Sequence, residues 1–382
     1  MVNAKETTAD VAIVGGGLAG SCLAAALGAR GVRVLLLDPR RIYPDCFKAE
    51  KVEPDQAALL RELGLLEALA PSLTRIHEVV SAGRSGVFER RKIEQYGALY
   101  QDMVNEIREN LPASVDYRPL RGRELSASPE IQRITLEDGT TATVRLLVLA
   151  SGTSERLAEQ IGLQRDWISK GHSLAFGFDV ACGNGERFGF DACTYYPEGV
   201  ASRISYLSLF PIGNRTRANL FTYLEPACAW AKEFQNAPVA TLNRSLPGLD
   251  GCLGAFTIPS KIEWGRIDLY RVTGHIRPGV VLIGDAFQGV CPITGTGLTK
   301  VLSDVATLAL DCVPGWLATP GMGAEKIAEY YDHPRKLRAD AHSLRAALYS
   351  KNLAINPSLK WRLRASLHRW TRRVRSYFRL TR

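Results

Sequence analysis

The sequence predicts an α/β protein with a parallel-sheet domain, a second domain built on an antiparallel β-sheet, and a C-terminal helical segment. A strand–glycine turn–helix–strand pattern from Val11 to Leu37 is typical of parallel sheets. Short alternating apolar segments from about His172 to Tyr270, separated by Gly and Pro, are typical of antiparallel sheets, and helical sequence dominates from about Ala324. The 382 residues, 46% hydrophobic and 23% charged, provide for two or three folding units and exclude widespread disorder.

The N-terminal unit carries a glycine motif between a strand and a helix. The apolar run Val11 to Val14 ends in Gly15-x-Gly17-x-x-Gly20, and an Ala-rich helix follows. Such glycines allow the backbone to approach a pyrophosphate at the positive end of the helix. Asp38 ends the next strand, where it is suited to accept hydrogen bonds from a ribose diol. These residues predict a Rossmann-like domain that binds an adenine dinucleotide; a tight turn without a ligand is the alternative.

The remaining elements divide the chain into domains. Pro54 to Leu69, Tyr100 to Leu111 and about Leu298 to Leu310 are predicted helices, and Ala142 to Ala150 is a predicted strand. The predicted division is as follows: 1–171 and 271–320 form the nucleotide-binding domain, 172–270 the inserted substrate domain, and 321–382 the C-terminal helical region.

A second glycine-rich loop follows another buried strand. Val280 to Ile283 leads into Gly284-Asp285, then into a loop and helix that contain Pro292, Gly295, Thr296, Gly297 and Leu298. Asp285 is suited to hold a ribityl hydroxyl, and the glycines allow loop amides to lie against a ring edge. An ordinary strand–loop–helix connection is the alternative.

Together these motifs resemble the FAD-dependent monooxygenases of the aromatic-hydroxylase type, which pair an N-terminal GxGxxG with a late GDAxxxxxPxxGxG segment. The run that ends in Leu302-Ser303-Asp304 is similar to squalene monooxygenase in particular. The resemblance implies a Rossmann-like FAD-binding domain with non-covalent FAD. It also implies flavin contacts at Lys48 and near Gln101, where the family usually has a basic residue and an Arg or Gln.

The resemblance further implies a reaction: hydroxylation or epoxidation of a hydrophobic small molecule through a flavin peroxide intermediate. Ser151 stands where the family usually has Asp, so either NAD(P)H or a separate reductase is expected as the electron donor. An FAD-dependent dehydrogenase or reductase of a polyprenyl-type or carrier-bound substrate, and a flavin-binding subunit without turnover, remain alternatives. No spacing of Ser, His, Cys or Asp identifies a catalytic base, and no motif predicts a metal site.

The positive charge of the chain is confined to its C-terminus. Residues 358–382 hold nine Lys or Arg and no acid, which accounts for the whole net charge of +9. An apolar helical stripe runs through this segment, formed by Leu359, Leu363, Leu367, Trp370, Val374 and Phe378. Three roles remain open: packing on its own domain, binding to an anionic membrane surface, or docking of an acidic carrier protein. Nucleic acid is not expected as a partner, because the rest of the chain is neutral. With no signal peptide visible, we expect a cytoplasmic enzyme, and the membrane-binding role of the segment would add peripheral membrane association.

Overall fold

The computed structural model describes residues 7–197 and 203–367. Its strands, in chain order, are β1 (Thr7–Val14), β2 (Val34–Leu37), β3 (Ala49–Val52), β4 (Thr74–Gly83), β5 (Gly86–Leu99), β6 (Val115–Arg118), β7 (Gly122–Ser126), β8 (Gln132–Leu136), β9 (Thr141–Leu149), β10 (Gln164–Cys182), β11 (Ala192–Tyr195), β12 (Ile204–Ile212), β13 (Arg215–Thr222), β14 (Phe256–Thr257), β15 (Glu263–Thr273) and β16 (Val280–Leu282).

The α-helices connect and cover these strands. In chain order they are α1 (Leu18–Gly28), α2 (Pro54–Glu62), α3 (Leu66–Leu69), α4 (Tyr100–Glu109), α5 (Arg156–Gln160), α6 (Ala229–Asn236), α7 (Pro238–Ser245), α8 (Leu249–Leu253), α9 (Gly297–Ala306), α10 (Val313–Ala318), α11 (Ala324–Asp332) and α12 (Pro334–Ile355). A further helix begins at residue 359 and is described to residue 367; it is called the tail helix below.

The first sheet is the predicted nucleotide-binding sheet. Its strands follow the order β6-β2-β1-β9-β8-β7, and β16 also pairs with β9. β6, β2, β1, β9 and β16 run parallel, whereas β7 and β8 are antiparallel to their neighbours. Residues 11–14 of β1 and all of β2 are buried, as expected for central parallel strands that are covered on both faces, which explains their continuous apolar runs.

The second sheet has nine strands among the described residues, in the order β14-β10-β13-β12-β11-β4-β5-β3, with β15 also paired to β10. All its pairings are antiparallel except that of β11 with β4. The predicted insert 172–270 supplies only part of this sheet, since β3, β4 and β5 come from residues 49–99. Residues 49–99 lie in the segment predicted to form the nucleotide-binding domain, yet these three strands pair within the second sheet.

Two predicted helices differ from the observed ones. The helix expected from Pro54 to Leu69 is two helices, α2 and α3, because Gly64 adopts a φ of +73° that ends the first. The helix expected from Leu298 to Leu310 starts at Gly297, and a π-helical stretch, Thr307–Cys312, joins it to α10.

The helical run Gly297–Ala318 lies inside the protein core. Among the described residues it is the one helix whose length and mean hydropathy (1.4) would allow it to cross a membrane, but 61% of that window is buried in the fold. Leu302, Val305 and Leu308 belong to the same apolar core as β1 and β9. This helix therefore acts as a core element that supports the second glycine-rich loop.

Candidate FAD and substrate site

A cavity of about 980 Å³ lies where the two glycine-rich loops and the second sheet meet. The predicted cofactor residues that line it are Gly15, Gly17, Asp38, Lys48, Asp285, Pro292, Gly295, Gly297 and Leu298. Four others, Gly20, Gln101, Gly284 and Thr296, lie behind this lining. Two stretches of backbone that are about 270 residues apart in the chain thus border one cavity.

The first glycine loop is shaped by close backbone contacts. Gly15 has a φ of +105°, and a side chain there would collide with the backbone of Ala150, which directly follows β9. Gly20 does not line the cavity. A Cβ atom added at Gly20 would collide with the carbonyl oxygen of Gly15. At Gly17, an added Cβ would meet only the Tyr100 hydroxyl, at 3.1 Å. Gly15 and Gly20 therefore close the strand–helix turn, while Gly17 leaves room beside the start of α1.

Asp38 is held rigidly at the end of β2. One carboxylate oxygen accepts from the Gly16 amide at 2.9 Å, and the other accepts from the Arg40 amide at 3.0 Å. The guanidinium of Arg108, which is buried, lies 3.4 Å from the same carboxylate and also donates to the carbonyl oxygen of Gly16. Arg108 thus ties the acid to the glycine turn, so that both present a fixed surface to a ribose and its phosphate.

Tyr100, rather than Gln101, reaches the cavity at the start of α4. Its hydroxyl oxygen accepts from the amide of Leu18, in the first turn of α1, at 3.0 Å. Burial raises the pKa of this phenol, so it stays protonated and can donate to an anion beside α1. Gln101 is turned away and accepts a hydrogen bond from the Cys46 thiol at 3.6 Å. The flavin contact expected at Gln101 remains a prediction, and Tyr100 is the neighbour that lines the cavity.

The second glycine loop is fixed from three sides. The Gly284 amide donates to the buried carboxylate of Asp304 at 2.8 Å, which positions Asp285 beside the cavity. The side-chain amide of Gln56 on α2 donates to the carbonyl oxygen of Gly295 at 2.9 Å. Tyr206, from the second sheet, donates to the carbonyl oxygen of Ile293 at 2.8 Å. The loop backbone is therefore held before any ligand binds, at the N-terminus of α9.

Three charged residues of β3 and its approach, Lys48, Glu50 and Lys51, line the same cavity. Lys48 lies with its ammonium 5.3 Å from the centre of the Tyr100 ring. Burial raises the pKa of the Glu50 carboxyl, Lys48 partly opposes this, and Asp285 adds to it. A carboxyl with a raised pKa takes its neutral form more readily, so Glu50 can share a proton with a polar group in the cavity.

The wall of the cavity formed by residues 175–221 of the second sheet is called the substrate wall. It consists of Ala175, Phe176, Thr194, Tyr196, Pro197, Ile204, Ser205, Tyr206, Ser208, Phe210, Asn219 and Phe221. None of these described residues is charged. Tyr206 packs against Phe221 at 5.0 Å and Tyr196 at 5.9 Å between ring centroids, which gives the wall an aromatic centre.

These features fit FAD. The N-termini of α1 and α9 both open onto the cavity, and helix N-termini favour a diphosphate and the electron-rich edge of a flavin. The glycine turns leave the backbone accessible at both places, and Asp38 stands where a ribose acceptor is needed. The residues present would therefore hold the cofactor in this cavity, between the two glycine-rich loops.

Sequence reasoning missed several residues that shape the site. Arg108 and Tyr100 belong to α4, and their roles depend on how that helix packs against α1, which no local pattern encodes. Gln56 had a detectable signal, since Glu53 and Gln56 form a capping box at the start of α2. That pattern predicts a helix start, but the further bond to Gly295 is a tertiary contact.

The chain is similar to a known protein family and to known enzymes over most of its length. The family model described as FAD binding domain matches residues 8–343. Squalene epoxidase erg1 of Aspergillus fumigatus is 40% identical over 388 residues, covering 93% of this chain and 78% of that protein. The 3-amino-4-hydroxybenzoate 2-monooxygenase PtmB3 of Streptomyces platensis is 23% identical over 332 residues, covering 81% of each.

The fold is also shared with a solved structure. The crystal structure of p-nitrophenol 4-monooxygenase PnpA from Pseudomonas putida DLL-E4 superposes with a TM-score of 0.75 at 17% identity, covering 94% of this chain and 92% of that one. This confirms the predicted α/β fold with its two sheets. Together with the family match over most of the chain, the site identifies this chain as a member of the FAD binding domain family and as an FAD-dependent monooxygenase of the aromatic-hydroxylase type.

Proposed function

We propose that this enzyme hydroxylates or epoxidises a neutral, hydrophobic small molecule that lies against the substrate wall. The observation that supports the proposal most directly is the composition of that wall, in which aromatic and aliphatic side chains surround a few hydroxyl and amide groups. An ionised substrate would need a charged partner on this wall to offset its desolvation. A neutral apolar substrate gains free energy from burial there without one.

The roles of the protein groups follow from their positions. Reduced FAD, when bound, supplies the chemistry that activates dioxygen. The substrate wall orients the acceptor and excludes water from the reacting face. Tyr206 contributes its ring to this wall while its hydroxyl holds the carbonyl oxygen of Ile293, so the substrate surface and the cofactor loop are directly connected. A neutral acceptor requires no ionising base, in keeping with the uncharged wall.

Isotope labelling tests the reaction class. Purified enzyme with FAD and an electron source would be incubated under ¹⁸O₂ with a polyene such as squalene, and in parallel with p-nitrophenol and an aminohydroxybenzoate. We expect one ¹⁸O atom in the product formed from squalene, which is neutral and apolar. We expect little or no labelled product from the aminohydroxybenzoate, which carries a carboxylate. Labelled product from the aminohydroxybenzoate alone would contradict the neutral-substrate proposal. Product without label would contradict oxygen insertion.

We propose further that electrons reach the flavin through a separate reductase rather than directly from NAD(P)H. Ser151 lines the cavity just after β9 and offers a hydroxyl instead of a carboxylate, and this hydroxyl donates to the carbonyl oxygen of Ser154 at 3.0 Å. Anaerobic mixing with NADPH or NADH should therefore bleach the flavin absorbance near 450 nm slowly, and adding a flavin reductase should accelerate it. Rapid bleaching by the nucleotide alone would contradict this proposal.

A further inference from the structure

The tail helix presents a row of leucines to solvent. Leu359, Leu363 and Leu367 are 70%, 62% and 59% exposed, and among the large apolar side chains of the described residues only Ile42 is more exposed. At about 100° per residue these positions fall on one face of a helix. Of the three roles that the sequence leaves open, packing of the stripe on its own domain therefore does not hold for these three residues.

The opposite face of the tail helix packs against the enzyme. Ala365 is buried and lines the cavity, together with Tyr349, Leu353 and Ala354 of α12. The ring of Trp361 contacts that of Tyr349 edge-on at 5.4 Å. The tail helix thus packs against the rest of the protein through the face that carries Trp361 and Ala365. The leucines lie on the opposite face and therefore point to solvent. The same element forms part of the cavity wall and carries the exposed apolar row.

The charges beside the leucines have one sign. Lys360 and Arg362 flank the leucine face on its two sides by helical geometry, and both are exposed. The guanidinium of Arg364 lies 5.0 Å from the centre of the Trp361 ring. No acidic residue occurs between 358 and 382, which leaves the cations uncompensated within the segment. An apolar row bordered by cations matches a surface that is apolar inside and anionic at its edge.

We propose that the face formed by Leu359, Leu363 and Leu367, with Lys360 and Arg362, docks the enzyme on an anionic lipid bilayer. In this position the leucines enter the acyl boundary and the cations meet the headgroups. Because Ala365 of the same helix lines the cavity, docking places this part of the cavity wall next to the lipid. The benefit of docking for the enzyme rests on the proposed hydrophobic substrate. The docking itself depends only on the exposed leucines and the cations beside them. Trp370, Val374 and Phe378, which continue the stripe, lie outside the described residues.

Vesicle sedimentation tests the proposal on the full chain with FAD bound. The vesicles would contain phosphatidylcholine with 30 mol% phosphatidylserine, or phosphatidylcholine alone. We expect binding to the anionic vesicles, weakened at high salt because exposed charges are screened. The variant L359S/L363S/L367S should bind at least tenfold more weakly. The variant K360Q/R362Q should bind about 30-fold more weakly to anionic vesicles, since each basic residue near the surface contributes about 1 kcal/mol.

A matched control separates this face from general hydrophobicity. The variant V87S/I131S/I276S removes three other exposed apolar side chains, and it should bind vesicles like the unmodified enzyme. The flavin absorbance and the urea midpoint of every variant should be unchanged. Both measurements report folding, and neither depends on the proposed substrate. Equal sedimentation of the leucine variant and the unmodified chain would overturn the proposal.

Other occupants of this face give distinct results. A doubled mass in light scattering that the leucine substitutions abolish, without vesicle binding, would assign the face to a second copy of the chain. Retention on immobilised polyglutamate without vesicle binding would assign it to an acidic protein. Either result would overturn membrane docking.

Discussion

Replacing Asp304 with Asn would test how the core holds the second glycine loop. The carboxylate of Asp304 is fully buried, and it accepts from Lys300 at 3.0 Å, from Lys336 at 2.8 Å and from the Gly284 amide at 2.8 Å. Asp340, also buried, completes a square of alternating charges with the two lysines, at 3.3 and 3.1 Å. The Asn side chain keeps the shape of Asp304 but removes its charge, so two ammonium groups would face one carboxylate.

The expected loss of stability is large. Leaving a buried charge without its partner costs about 3–5 kcal/mol, a substantial part of a typical folding free energy of about 5–15 kcal/mol. Burial disfavours the charged form of Asp304, but Lys300 and Lys336 together outweigh this and hold its pKa below the usual value. The stabilising effect of the carboxylate is therefore complete above about pH 4 and is lost as the pH falls through its lowered pKa. We also expect weaker FAD binding, because Asp304 positions the turn that contains Asp285.

Equilibrium urea unfolding with excess FAD, together with FAD titration of the apoprotein, measures both effects. Asp304→Asn should lower the unfolding free energy by about 3 kcal/mol at pH 7, and by less below pH 4. Asp311→Asn is the matched control, since Asp311 makes partly exposed ion pairs with His333 and Arg335 and should change stability by no more than about 0.5 kcal/mol. If Asp304→Asn were as stable as the control, the reasoning about this buried network would be refuted.

Three further predictions concern the glycine turn, Tyr100 and His172. Gly20→Ala should lower the unfolding free energy by about 1–3 kcal/mol in urea titrations, because its Cβ would collide with the Gly15 carbonyl; an unchanged midpoint would contradict this. Tyr100→Phe should weaken FAD binding about five- to tenfold by fluorescence titration with stability little changed; unaltered affinity would exclude the hydroxyl from the site. Burial and then Lys351 lower the pKa of His172 from 6.5 to about 4, so stability should be complete above pH 6.5 and fall towards pH 4. His172→Gln should remove about 3 kcal/mol of that pH dependence, and parallel pH profiles of the two proteins would show that His172 does not cause it.

Local sequence patterns predicted the parts of the site that depend on backbone shape. Gly15, Gly17 and Asp38 had to follow buried strands at set distances, because a turn that approaches a phosphate requires glycines and a ribose contact requires an acid at a strand end. Asp285 and the loop from Pro292 to Leu298 were recognisable for the same reason. The residues of each motif lie close together in the chain, so the whole motif can be recognised in the sequence alone.

The substrate side could not be predicted in the same way. β4 and β5 lie between two predicted helices, and their charged, half-exposed residues obscure the alternation that marks a strand. Their place in the second sheet depends on the pairing of β4 with β11, across more than 100 residues of sequence. Tyr206 both lines the cavity and donates to the carbonyl oxygen of Ile293, and this double contact follows only from the packing of the second sheet against the loop.

The amino-acid order alone thus indicated an adenine dinucleotide, two glycine-rich loops suited to bind it and the amphipathic character of the C-terminal segment, since each depends on residues close together in the chain. Packing between distant segments settled the rest: Arg108 on Asp38, the buried charges around Asp304, the uncharged substrate wall, and the outward direction of Leu359, Leu363 and Leu367. The physical reason is that a helical stripe records only which side chains share a face. Whether that face meets the core or the solvent depends on which of its sides, here that of Trp361 and Ala365, finds a complementary surface.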